Sequence, residues 1–66
     1  MESHQERVIA EKQELDSKIE KLQSFLKSPK FDELVPDAED AYLLVKQKFT
    51  MIEYSNILQS RINRFN

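Results

Sequence analysis

The chain has 66 residues, of which 33% are charged, and carries a formal net charge of −2. It contains no glycine and no cysteine, which excludes glycine loops that cradle phosphate, disulfide frameworks and cysteine zinc sites. The acidic balance lacks the footprint of a general DNA or RNA binder, and a domain this small needs extended helix packing or self-association for stability.

The first predicted helix covers about residues 3–28. Ser3 and Glu6 have the spacing of a capping box, and Glu6 in a first turn suits the helix dipole. Val8, Lys12, Leu15, Ile19, Leu22 and Leu26 then recur at steps of four and three, a narrow heptad-like seam. Arg7, Glu11, Glu14 and Lys18 flank that seam on one shoulder. Ser28-Pro29 ends the helix, because the residue before proline avoids the helical region.

Residues 29–36 read as a connector whose Phe31, Leu34 and Val35 would plug the end of a hairpin. Pro36 and Asp37 restart the chain. Asp37, Glu39 and Asp40 suit the positive end of a second helix, expected over about 37–65, while Arg61 and Arg64 suit its last turn. The two helices would be about 38 and 42 Å long, a match that favours antiparallel pairing. A direct closure of the hairpin would set Leu26 beside Ala41, Leu15 near Ile52 and Val8 near Ser60.

The second helix is apolar over about 240° of its surface, far more than the stripe a surface helix buries. One stripe holds Leu44, Met51, Leu58, Ile62 and Phe65, flanked by Leu43 and Tyr54. The other holds Ala38, Ala41, Val45, Phe49 and Ile52. A narrow first helix covers only one of these well. An exposed second stripe is unusual for a monomer, so Ala38, Ala41, Val45, Phe49 and Ile52 are the expected subunit contact. The expected fold is therefore all-α: an antiparallel helical hairpin, one domain over residues 1–66, assembling into a homo-oligomeric bundle.

Catalysis has few candidates. There is no cysteine nucleophile and only one histidine, His4, which is too isolated for a metal site. Glu11, Glu14, Asp16 and Glu20 read as a solvated face rather than an acid–base pair, since a general acid needs a cleft that shifts its pKa. No enzymatic activity, cofactor or metal is expected. Arg7, Lys18, Tyr54 and Arg61 are the candidate ligand-binding residues: guanidiniums and an ammonium for an anion or nucleotide, and a phenol for stacking. The alternative use of these cations is salt bridging to Glu6, Glu11 and Glu14. No run approaches the roughly 18 apolar residues of a membrane span, and no signal-peptide core is present, so a cytoplasmic location is expected.

The run Glu6-Arg7-Val8-Ile9-Ala10-Glu11-Lys12-Gln13-Glu14-Leu15-Asp16-Ser17-Lys18-Ile19-Glu20-Lys21-Leu22, followed by Phe25, resembles a family of very small tailed-phage and prophage proteins. Leu44, Gln47, Met51, Tyr54, Leu58, Arg61, Ile62 and Phe65 continue the likeness over nearly the whole chain. The family is known through a relative in crAss-like phages as a helical-hairpin domain of unknown function. Tyr42, Leu43 and Val45 make the start of the second helix more apolar here than in the family pattern, which speaks against a simple monomer.

The resemblance implies a phage product in an infected bacterial cytoplasm, with a counter-defence or host-takeover role. Three uses follow from that context. The chain then reads as an oligomeric module that sequesters a cyclic nucleotide immune signal, as an inhibitor or adaptor that docks a host defence protein through the apolar face of helix 2, or as a minor structural or assembly helper of the phage.

Overall fold

The computed structural model describes residues 3–65. Its elements are α1 (Ser3–Leu26), α2 (Phe31–Leu34) and α3 (Ala38–Ile62). The two long helices pack against each other in a rod of 47 × 15 × 14 Å, and no strand occurs among the described residues. Because α1 is helical from Ser3 itself, its N-cap falls outside the described residues and the proposed Ser3–Glu6 capping box gains no support.

The seam of α1 supplies the buried residues Val8, Leu15 and Ile19. Against them α3 sets Leu58, which is fully buried, and the half-buried Met51, Ile52 and Ile62. Phe65, just beyond α3, closes the open end of the hairpin. Its backbone N–H donates to Ile62 at 2.9 Å, and its ring meets His4 edge-on with centroids 6.2 Å apart. His4 thus faces an aromatic ring.

The chain reverses without a left-handed residue: no described residue has a positive φ. A glycine-free chain lacks the residue that most easily ends a helix in a sharp αL turn. The reversal is spread instead over a turn at residues 27–30 and the single helical turn α2. Ser28 organises it: its carbonyl accepts from the N–H of Phe31 at 3.0 Å and its hydroxyl from the N–H of Lys30 at 3.2 Å. Phe31 stacks edge-on against Phe25, centroids 5.3 Å apart, and so plugs the closed end. Val35 is half-buried there, but Leu34, expected in the same plug, is exposed.

Asp37 caps α3, its Oδ1 accepting from the N–H groups of Glu39 and Asp40 at 2.8 and 3.2 Å. Such a cap satisfies donors that the helix itself cannot. Pro36 precedes the cap and lies outside the helix.

The long connector shifts the pairing register. Direct closure would have set Asp16 opposite Met51. Instead the Ser55 hydroxyl donates to Asp16 Oδ1 at 2.5 Å, four residues and one helical turn further along α3. The first turns of α3 therefore extend past the end of α1 and pack beside the connector. Leu15 lies with Leu58 in the core, rather than beside Ile52 alone.

Candidate functional site

The contact between Asp16 and Ser55 also fixes which faces of the two helices meet. In an antiparallel pair of right-handed helices, residues that precede the seam in rotation lie on one side and those that follow it on the other. Asp16 and Ser55 mark one long face of the hairpin. Arg7, Glu11, Glu14 and Lys18 of α1, with Tyr54 and Arg61 of α3, fall together along the opposite long face.

The structure thus brings the four candidate ligand-binding residues onto one face, in two levels. Arg7 and Arg61 lie near the open end. Lys18 and Tyr54 lie mid-hairpin, about 16 Å from the first level on α1 and about 10 Å on α3, from the 1.5 Å rise per residue. All four are exposed. Among the described residues none of Arg7, Lys18 or Arg61 forms an ion pair; the salt bridges to Glu6, Glu11 and Glu14 considered from sequence do not form within the chain. The cations stand free, with Glu11 and Glu14 beside them. Lys18 also edges an open hollow with Gln13, Glu14, Ser17 and Lys21, but every wall of that hollow comes from α1.

The residues expected at a subunit contact lie on the other long face. Ala38, Val45 and Phe49 are exposed, Phe49 at 60%, and Tyr42 is exposed beside them. Ala41 is half-buried, and Ile52 packs against the intramolecular core rather than standing clear of it. The free apolar edge is therefore narrower than the sequence stripe: Ala38, Tyr42, Val45 and Phe49. Lys48 lies 4.5 Å from the centroid of the Phe49 ring, a cation–π contact at its margin. Conversely Leu43 and Tyr54, placed by periodicity beside the covered stripe, are exposed.

Sequence reasoning missed one constellation. Lys12 Nζ donates to Asp16 Oδ2 at 2.6 Å, while Ser55 bonds the other carboxylate oxygen, so three polar groups bridge the helix seam. Ser55 is buried, and no buried side-chain polar atom among the described residues lacks a partner. The signal was a lysine on an apolar seam with an aspartate four residues on, facing a small hydroxyl in an apolar stretch. The hydrogen bond from Lys12, and then that from Ser55, hold the Asp16 carboxyl below its ordinary value of 3.8 against a smaller opposing effect of desolvation.

A depressed carboxylate pKa adds stability that is present above the unfolded value and is lost as pH falls through the folded value. The melting-temperature gap between the native chain and Asp16→Asn should therefore be constant well above pH 3.8 and narrow below it. A gap that stays unchanged in acid would show that the charge of Asp16 is not what stabilises the seam.

Among the described residues there is no group of acidic and histidine side chains able to hold a metal ion, and no helix long and apolar enough to cross a membrane. Neither the curated proteins nor the solved structures provide a significant match to the chain. A family model described as Sequestin does match, over residues 2–64, nearly the full length, and the chain belongs to the Sequestin family.

Proposed function

We propose that this chain is a non-enzymatic, phage-encoded binding module that self-associates and sequesters a nucleotide immune signal in the cytoplasm of an infected bacterium. The observation that carries the reading is the family match, whose name is that of a sequestering protein. The free cations support the choice of an anionic ligand. Arg7, Arg61 and Lys18 have no acidic partner among the described residues, and Tyr54 adds an aromatic face at the level of Lys18. Glu11 and Glu14 leave that face with a charge of only about +1 by simple count. A second hairpin joined through the apolar edge would add its own set of cations.

Self-association has a separate support, in surface area. The chain exposes 5296 Å². A folded monomer of 7.9 kDa is expected to expose about 4,400 Å², so the excess is about 900 Å². That is close to the roughly 800 Å² each partner contributes to a stable interface.

Calorimetric titration with a panel of cyclic nucleotides tests the ligand. Arg61→Ala should weaken binding roughly 10- to 100-fold, the effect of losing a charge-assisted hydrogen bond. Silence across the panel would reject sequestration of a nucleotide. The same apolar edge supports a second reading, a protein inhibitor that docks a host defence protein. A chain that remains a clean monomer in light scattering would favour it.

A further inference from the structure

One cavity of the molecule plays no part in the residues considered so far. It lies at the closed end, where the overhanging start of α3 packs beside the connector, and has a volume of about 400 Å³. This is within the range of small-molecule pockets, roughly 300–1,000 Å³. Leu43 and Leu44 of α3 line it together with Leu34, Val35 and Pro36. Asp40 and Gln47, two turns apart on α3, give it a polar residue at each end of that stretch of helix.

Both polar ends are underused. Among the described residues the Gln47 amide Nε2 donates only to the thioether of Met51, at 3.8 Å, and sulfur is a weak acceptor. The Asp40 carboxylate accepts no hydrogen bond among the described residues; it is its backbone N–H that is engaged, by Asp37. The exposed Leu34 and Leu43 leave apolar walls in water at a cost that a flat apolar ligand would remove.

We infer that this closed-end cavity is a purine-base subsite, with Asp40 accepting from the exocyclic amino or ring N–H edge and Gln47 pairing with a ring acceptor. The inference rests on the nucleotide reading above and adds where the base sits. Charge disfavours the phosphate in the cavity itself. Asp32, Glu33, Asp37, Glu39 and Asp40 outnumber Lys27 and Lys30 at the closed end, so a neutral base is favoured there over an anion. Gln47 lies on the same long face as Tyr54 and Lys18, with Tyr54 seven residues on and so about 10 Å along α3. A ligand with its base among Leu43, Leu44 and Gln47 directs its phosphate toward those residues. A two-ring base suits polar groups set two turns apart better than a one-ring base does.

The test uses nucleosides, which carry no phosphate and so separate this subsite from the cationic face. Adenosine and guanosine, each titrated into the isotope-labelled chain, should shift the methyl resonances of Leu34, Leu43 and Leu44 and the side-chain amide of Gln47. Uridine and ribose should bind at least fivefold more weakly. Asp40→Ala and Gln47→Ala, both at exposed positions, should each weaken the purines severalfold while helix content by circular dichroism stays unchanged. Lys18→Ala should leave nucleoside binding alone and weaken cyclic nucleotides.

Purines that bind no better than ribose, or that move resonances elsewhere, overturn the subsite. Cavity resonances that shift on dilution of the unliganded chain also overturn it, since a second copy then fills the space. If cyclic nucleotides still bind in those cases, sequestration stands without the subsite. Nucleoside binding without any cyclic nucleotide binding upholds the subsite and rejects sequestration.

Discussion

Replacing Leu58 with alanine is expected to cost about 3 kcal/mol, within the range of about 2–5 kcal/mol for truncating a buried leucine. Leu58 is the one side chain with no solvent exposure among the described residues, and Val8, Leu15 and Ile19 of α1 form the buried core with it. Domains below about 70–80 residues seldom hold more than about 3–5 kcal/mol from a single core. The loss is therefore most of what the hairpin has, and thermal melting followed by circular dichroism should show partial unfolding at room temperature. Ile57→Ala is the comparison. Ile57 is 55% exposed, and its truncation should stay within about 0.5 kcal/mol. Equal losses at the two positions would mean that the stabilising core lies between chains rather than between α1 and α3.

The second large effect concerns assembly. Phe49→Glu should reduce the solution mass to that of a single chain, 7.9 kDa, as read by light scattering on a size-exclusion column. Phe49 is 60% exposed and Val45 38%, on the long face away from the cations. Burying an unpaired carboxylate in such a contact costs about 3 kcal/mol or more, which is over a hundredfold in dissociation constant. The intramolecular hairpin should survive, because Phe49 lies outside the core formed with α1. Leu43→Glu, on the opposite long face, should leave the mass unchanged. The reverse result, dissociation by Leu43→Glu but not by Phe49→Glu, would move the interface to the cationic face and reject the proposed division of labour.

Periodicity proposed the members of that division. From sequence, Arg7, Lys18, Tyr54 and Arg61 were candidate binding residues and Ala38, Ala41, Val45, Phe49 and Ile52 the expected subunit contact. In the structure the two sets separate across the rod. Lys18 and Tyr54 sit mid-hairpin, about 8 Å along α3 beyond Phe49 and on the other side of the rod. The residue types were legible because helical spacing alone decides which side chains share a face of one helix. Which faces of two helices then meet was not, because it depends on pairing between residues 39 positions apart, such as Asp16 and Ser55.

Composition and spacing determined the two long helices, the acidic start of α3, and an α3 more apolar than one α1 can cover; the structure made Asp37 the cap of that start. Tertiary structure decided three things: the one-turn shift in register, the entry of Ile52 into the core and the exposure of Leu34, Leu43 and Tyr54. The physical reason is the absence of glycine. With no residue suited to a tight left-handed reversal, the chain turns through α2, α3 starts beyond the end of α1, and the overhang creates both the offset pairing and the closed-end cavity.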